Sequence, residues 1–376
     1  MKKIILFSLS FLVLFLEAGF SQTLINTGKL LQGGVDDGVK MVNAYILPLN
    51  RSIMSGMNSS DFTTLYNGDE KRFSVSFNTS LVNIPTEDQT FDVNTLGLEH
   101  IAAEPGNSIA QTVFGDSTTI TIYSRDSIPD HSVLPIDGGD DGGGGFPFRN
   151  TEKIDSVASF SFQSISGSDI HMFLLPHLNV SYKFDFGNLS VGILPYFSSK
   201  TTLFLWGVTW QQNLSMFIPK LKESALKISG NLSYYSFYLR NQLEVHPNGV
   251  TVPYSLSGEA VGPYDNQELK MKYSSIYLGA NLAYTIKKFT FWGRIGYNLG
   301  TSRVKILGTY PIYGSDPTGN ASVTVQDIDD PMDESDIYNI LKGSLGARFD
   351  FSRYYLQANY TIASYGGLGF ALGVRF

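Results

Sequence analysis

Cysteine is absent from this chain of 376 residues, and charged residues make up only 16% of it. Without thiols the protein can form neither disulfides nor thiolate metal sites, and a lipid anchor on an N-terminal cysteine is excluded. The net charge of −7 argues against nucleic acid as a partner, because phosphate binding requires a basic surface. Beyond residue 21 no apolar run approaches the roughly 20 residues that a membrane-spanning helix needs.

Signals of catalysis are scarce as well. The sequence contains no nucleophile elbow, no phosphate-binding loop and no dinucleotide-binding glycine motif. The five histidines are scattered along the chain without the spacing of metal ligands. A lipase that uses His171 or His177 on the inner face of a barrel is the alternative, but an ordinary lumen or loop histidine is favoured. The sequence therefore predicts no enzyme, no metal site and no cofactor.

Aromatic residues are abundant by contrast, with 21 Tyr and 26 Phe, as in the aromatic girdles of membrane barrels. Apolar residues alternate with polar or small ones over 353–362 and again over 368–376. A strand with one apolar and one polar face suits a barrel wall between lipid and a wet lumen. The final Phe376 resembles the C-terminal signal that bacterial outer-membrane barrels present to their assembly machinery. We therefore expect an all-β fold, a transmembrane antiparallel up-and-down β-barrel of about 12–14 strands.

The N-terminus is typical of an exported protein. Lys2 and Lys3 precede an apolar run over residues 4–16, and small residues follow before Gln22. This layout predicts a secretory signal peptide over 1–21, since the apolar run is too short to span a bilayer. The predicted location is the bacterial outer membrane, with membrane lipid and the barrel assembly machinery as partners. A secreted soluble β-protein is the alternative.

Residues 22–70 lack the alternation of a barrel wall and are predicted to form a hatch or plug inside the lumen. Asp36 or Asp37 is suited to cap a short helix, which Pro48 is expected to end. The candidate hatch residues are Asp36, Asp37, Tyr45, Pro48 and Asn58. A helix on the periplasmic surface is an equal alternative.

The barrel itself is predicted over residues 71–376. Links near residues 187, 287 and 351 are short, whereas long outer loops are expected over about 243–268 and 301–338, as in outer-membrane barrels. A loop-rich region over 84–155 includes the acidic glycine run 137–145, which is interpreted as an exposed loop. At Tyr235 the apolar face changes parity, which predicts a β-bulge.

The inner face of the predicted strands is basic. Its candidate residues are Lys183, Lys227, Arg294, Lys342, Arg348 and Arg375, with Arg240 if the bulge is present. Unpaired charges away from water are costly, so these cations need partners. Three interpretations stay open: carboxylates of the plug such as Asp36 or Asp37 pair with them, they bind an anionic group such as a fatty-acid carboxylate or a lipid phosphate, or they line a wet lumen.

Seven short runs stand out along the chain: YILPL at 45–49, GMN at 56–58, LPHL at 175–178, ILPY at 193–196, WGV at 206–208, NYT at 359–361 and YGGLGF at 365–370. Together they resemble an outer-membrane family of Bacteroidota related to the long-chain fatty-acid transporter (FadL-like) barrels. The resemblance implies a barrel plugged from within that passes small hydrophobic or amphipathic molecules as cargo. The alternative is a barrel that transports nothing and serves a structural or surface-recognition role.

Overall fold

Ten antiparallel strands close into a barrel in the computed structural model, which describes residues 24, 26–62, 72–124, 160–246, 255–259, 261–315 and 322–376. The strands are β1 (Phe73–Asn83), β2 (Met172–Lys183), β3 (Gly187–Phe197), β4 (Thr201–Asn213), β5 (Leu226–Gln242), β6 (Glu268–Ile286), β7 (Phe289–Leu307), β8 (Met332–Phe351), β9 (Tyr354–Ile362) and β10 (Gly367–Arg375). Each strand pairs with its neighbours in the chain, and β1 pairs with β10 to close the wall. The predicted antiparallel up-and-down barrel with an N-terminal plug segment is confirmed, with ten strands instead of 12 to 14.

The outer surface of the wall carries apolar rows that stay exposed in the described residues. They include Val180, Leu189, Val191, Ile193, Phe204, Trp206, Leu232, Ile276, Leu278, Leu282, Phe291, Ile295, Tyr297, Leu299, Leu341, Leu345, Leu356, Tyr360, Ile362, Leu368, Phe370 and Leu372. On β7 the outward row runs from Phe289 to Leu299. At ~3.4 Å per residue and a strand tilt of ~40°, this row is roughly 25 Å tall, the height of a transmembrane apolar band.

The two ends of the barrel differ in their connections. At the short-turn end, tight links join β2 to β3, β6 to β7 and β8 to β9, and a 3-10 turn (Leu214–Phe217) with helix α2 (Pro219–Lys222) joins β4 to β5. At the long-loop end, residues 84–171, 243–267 and 308–331 connect strands. The last of these loops is shorter than the predicted 301–338, because β7 and β8 stay paired up to Ile306 and Met332.

Small sheets shape the long-loop end. Thr90–Asp92 pairs with Ile109–Gln111, and a second sheet contains Ile101–Ala103, Thr121–Ser124 and Ser161–Gln163. A third sheet contains Ser255–Glu259, Thr309–Ser315 and Ser322–Asp329. Their buried apolar side chains pack against the N-terminal segment in one core. The loops therefore form an ordered roof over this end of the barrel.

The N-terminal segment enters this roof and then the lumen. A 3-10 helix, Thr27–Gly33, leads into helix α1, Val35–Gly56. The expectation that Pro48 ends the helix is wrong, since α1 continues for two further turns. A proline inside a helix removes one hydrogen bond and bends the backbone. Here the Val113 N–H donates to the carbonyl of Tyr45 at 3.0 Å. The loop that contains Val113 is therefore hydrogen-bonded to α1 in the turn before Pro48.

The predicted β-bulge at Tyr235 is also wrong. Strand β5 keeps an unbroken register with β4 and with β6. Tyr235, Phe237 and Leu239 are simply apolar residues on the inner face, buried beneath the roof and the plug. Arg240 therefore points outward, where it binds Glu268.

Large rings on the inner face lie over glycines of the adjacent strand. The pairs are Tyr235 with Gly207, Trp292 with Gly346 and Tyr355 with Gly373. A Cβ atom on these glycines would come within 2.1–2.5 Å of the ring. The rings thus fill the narrow lumen because the opposite residue has no side chain.

The described residues contain no helix that has both the length and the apolar character needed to cross a membrane. The predicted signal peptide, 1–21, and the acidic glycine run, 137–145, lie outside the described residues.

Candidate functional site: the seat of the plug in the lumen

The chain leaves α1 in a short segment that crosses the middle of the lumen. We call residues 57–62 the hook. Asn58 has a positive φ of 55°, a left-handed conformation that asparagine tolerates and that commonly ends a helix. The last carbonyls of a helix have no partner within it and carry the negative end of its dipole. The hook therefore presents acceptors and negative potential to the surrounding wall.

Two cations of the inner wall bind these carbonyls. Lys342 of β8 donates to the carbonyl oxygens of Met54, Ser55 and Met57 at 2.8, 3.1 and 2.8 Å. Arg294 of β7 donates to the carbonyls of Asn58, Ser59 and Asp61 at 2.9–3.1 Å. Both side chains are buried, so backbone carbonyl oxygens replace the water that would otherwise solvate each charge. The inner wall therefore carries two cations at the level of the hook, where they bind the carbonyls that follow the end of α1.

Asp61 supplies the carboxylate of the seat. Its side chain is 2% exposed and lies 2.9 Å from Nε2 of His177. The Tyr235 hydroxyl donates to its second oxygen, while the amides of Asn78 and Asn179 donate at 3.2 and 3.4 Å. A buried carboxylate is tolerated only when hydrogen bonds of this kind replace its water. Four side chains from β1, β2 and β5 thus converge on one residue of the plug.

The remaining strands complete the ring of contacts. The Asn359 amide of β9 donates to the Ser59 carbonyl at 3.1 Å, and the Tyr273 hydroxyl of β6 donates to Asn50 at 2.5 Å. The ring of Phe62 stacks on Trp292 of β7, with centroids 4.3 Å apart. Side chains from β1, β2, β5, β6, β7, β8 and β9 therefore hold the plug around most of the circumference.

Between the hook and the short-turn end, polar side chains on the inner wall bond one another. The pairs include Gln211 with Ser229, Thr209 with Ser233, and Asn231 with Asn281, at 2.8–3.0 Å. These residues are buried. A ten-stranded barrel has a narrow interior, and these bonded side chains line it below the hook.

Four of the predicted lumen cations lie away from the hook. Lys227 donates to the carbonyls of α2 at 2.8 and 3.1 Å, while Lys183 lies partly exposed at the end of β2. Arg348 forms an ion pair with Asp350 at 3.0 Å, stacks on Tyr355 and shares Asp350 with Arg375. The sequence predicts a short link near residue 351, whereas Asp350 lies within β8 and directs its carboxylate inward.

The hatch candidates divide between the roof and the hook. Asp36 is exposed, whereas buried Asp37 accepts the backbone N–H groups of residues 99–101 at 2.6–3.2 Å. Burial raises the pKa of Asp37, but these donors outweigh burial and hold the pKa below its usual range. The Tyr45 hydroxyl donates to the Ser166 carbonyl at 3.1 Å. Asp37 and Tyr45 thus fasten α1 to the roof, whereas Asn58 shapes the hook.

Sequence reasoning missed Asp61 and left His177 as an ordinary histidine. These residues are 116 positions apart, and Asp61 precedes the first strand without any recognisable motif. The predicted pairing of plug carboxylates with wall cations was open to other plug residues. In the structure, Arg294 and Lys342 bind backbone carbonyls of the plug instead. The carboxylate of Asp61 binds His177 and Tyr235, while Asp36 and Asp37 lie at the roof. In the described part of the chain no three His, Asp or Glu residues cluster as a metal site would require.

The model of the family of unknown function DUF6588 matches residues 1–376. The chain belongs to this family. No curated protein matches it in sequence. The family assignment covers the barrel and the plug together, so the arrangement described above is that of a family member.

Solved structures of three barrels are similar to this chain. Ail of Yersinia pestis is 10% identical, with a TM-score of 0.22 over 82% of this chain and 100% of its own. The translocator domain of the autotransporter NalP from Neisseria meningitidis is 11% identical, with a TM-score of 0.25 over 90% and 98%. The outer membrane protease OmpT of Escherichia coli is 8% identical, with a TM-score of 0.26 over 83% and 99%. Because these sequence identities and TM-scores are low, the fold is assigned from the strand pairing alone.

Proposed function

We propose that the protein is an outer-membrane barrel whose lumen is closed by its own N-terminal plug, and that it acts as a structural or surface-recognition protein. The observation that supports the closed state is the hook, which crosses the lumen and bonds side chains of opposite walls. Every adjacent pair of described strands is hydrogen-bonded, and the shortest pairing joins β2 to β3 over Leu178–Lys183 and Asn188–Ile193. The ordered roof is then the surface that a partner would meet.

The membrane location is supported by the exposed apolar band, whose height is close to the hydrocarbon thickness of a bilayer. A soluble β-protein would bury such rows under a second layer. The test is fractionation of cells followed by electrophoresis with and without boiling. We expect the chain in the outer-membrane fraction with a heat-modifiable mobility; recovery in a soluble fraction would contradict the proposal.

The closed lumen is tested by conductance in planar bilayers. The purified barrel is expected to show no ion conductance, because the hook and the polar lining below it occupy the lumen. Stable open channels in the wild-type protein at low voltage would contradict the closed state. A matched barrel of known conductance in the same bilayer controls for insertion.

Passage of small hydrophobic or amphipathic molecules, as in FadL-like barrels, is the second candidate. This candidate is favoured because the hook is held mainly by hydrogen bonds. When the hook leaves its position, hydrogen bonds to water can replace them. Both polar atoms of the Asn58 side chain and Nδ1 of His177 are buried without a protein partner. Uptake of a fluorescent fatty acid into cells separates the candidates. Arg294→Glu, which repels the carboxylate of Asp61 and unseats the hook, should increase uptake only if passage occurs through this lumen.

A further inference from the structure

A group of cations lies on the outer surface of the wall at the long-loop end. It contains Arg240 on β5, Lys270 and Lys272 on β6, and Arg303 and Lys305 on β7. Each shares the outward parity of the apolar residues further along its strand. These strands are neighbours, and the register pairs Arg240 with Lys270, Lys270 with Lys305, and Lys272 with Arg303. We call these five residues the rim patch.

The rim patch has a net positive charge in an acidic protein. Two outward carboxylates lie within it: Glu268 binds Arg240 and Lys270, and Asp333 binds Arg303 and Lys305. Five cations thus meet two carboxylates. Lys272 is exposed and forms no ion pair with any described residue. The patch therefore has positive charge that its own neighbours do not neutralise.

The position of the rim patch indicates what it meets. On β6 the outward residues change from Lys270 and Lys272 through Ser274 to the exposed Ile276. Strand β7 shows the same order from Arg303 through Thr301 to Leu299. Residues two apart on a strand lie ~7 Å apart, so at a strand tilt of ~40° Lys272 and Arg303 lie roughly 10 Å beyond the last apolar row. The other three cations lie roughly 16 Å beyond it. The long side chains of Lys272 and Arg303 can therefore reach the headgroup layer.

We propose that the rim patch binds the phosphorylated saccharide headgroup of a glycolipid in the leaflet at the long-loop end. The inference rests on the proposed membrane location. Three adjacent strands span ~10 Å across the patch, which is wider than one phosphate and fits a headgroup that carries two. Lysine and arginine bind phosphate through charge-assisted hydrogen bonds, and the hydroxyls of Ser274 and Thr301 suit a sugar. The apolar rows below would contact the acyl chains.

The experiment measures lipid binding to the purified barrel in detergent by native mass spectrometry. The probes are diphosphoryl lipid A, monophosphoryl lipid A and phosphatidylglycerol. We expect diphosphoryl lipid A to bind most tightly. Each cation near a membrane surface contributes about fivefold in affinity, so Lys272→Ser with Arg303→Ser should weaken binding on the order of twentyfold. Lys220→Ser with Lys288→Ser removes two exposed cations at the short-turn end and should leave binding unchanged.

Equal affinity of the rim variant and the wild type would overturn the proposal, as would an equal loss in the short-turn control. Equal binding of all three probes would overturn the glycolipid headgroup as the ligand. Unaltered heat-modifiable mobility verifies that each variant is folded. Lys272→Ser alone, which breaks no ion pair, serves if the double variant does not assemble. These outcomes are separate from cell fractionation, so failure here leaves the proposed membrane location standing.

Discussion

Asp61→Asn tests the contacts that hold the hook without changing the strands of the barrel. It keeps the size of the side chain but replaces one carboxylate oxygen with an NH2 group, which cannot accept a hydrogen bond. Tyr235 donates to one oxygen of Asp61, and His177 lies 2.9 Å from the other. If the new NH2 group lies on the His177 side, it faces the amides of Asn78 and Asn179, which donate there at 3.2 and 3.4 Å. If it lies on the other side, it faces the hydroxyl donor of Tyr235.

The magnitude follows from the number of bonds lost. A hydrogen bond to a charged group contributes about 1.5–3 kcal/mol, and a buried donor left without a partner costs about 1–3 kcal/mol more. Their sum, about 2.5–6 kcal/mol, brackets the usual cost of about 3–5 kcal/mol for breaking a buried pair. At 1.4 kcal/mol per tenfold change, the population of the unseated hook should rise about 10²–10⁴-fold.

Hydrogen exchange of the detergent-solubilised barrel measures this population directly. The backbone amides of residues 54–62 should exchange faster by the same factor, while amides of the paired strands keep their protection. Asp185→Asn is the matched control, because Asp185 is exposed at the short-turn end and, among the described residues, binds only Arg72 there, at 2.9 Å. The reasoning is refuted if the hook amides of a folded Asp61→Asn barrel exchange as slowly as in the wild type.

Three further predictions concern the plug, the roof and the wall. Lys342→Met removes the donor to the last carbonyls of α1 and should speed exchange of the hook amides by about 10–100-fold, equivalent to about 1–3 kcal/mol. Because the pKa of Asp37 is depressed, its stabilisation is present above the unfolded value of about 4 and is lost as pH falls through the folded value. The protection factors of amides 99–101, which correct for the intrinsic pH dependence of exchange, should therefore fall in acid. In Asp37→Asn these factors should already be low at pH 7 and should not fall further. Gly207→Ala should lower the temperature at which heat modification occurs, since its Cβ would lie 2.3 Å from a ring, whereas Gly230→Ala, with 3.8 Å of clearance, should not.

The wall could be predicted because its rule is local. Period-two alternation assigns each residue to a face without knowledge of the partner strand. The final rows at residues 368–376 and the short link near residue 287 are where the sequence placed them. The same rule failed at Tyr235, where an apolar residue belongs to the inner face. The inner face is apolar there because the plug and roof provide a buried core, which alternation alone cannot reveal.

The seat of the plug could not be predicted, since its contacts join distant parts of the chain. Lys342 and Met54 are 288 positions apart, and Asn359 and Ser59 are 300 apart. The acceptors are mostly backbone carbonyls that any sequence would supply. The cations were identified from their parity, but their partners depend on which residues leave the helix at Gly56 and how the hook turns.

The number of strands sets the width of the lumen, and this width determines what the lumen cations bind. Barrel diameter grows with the number of strands, so 12 to 14 strands would leave space beside a plug for water or a ligand. With ten strands, three large rings of the inner face lie over glycines, and a single peptide segment reaches opposite walls. Arg294 and Lys342 therefore have the carbonyls of the hook within hydrogen-bond reach. An anionic ligand at these two residues must therefore compete with the plug itself, which makes hook displacement the step on which any binding there depends.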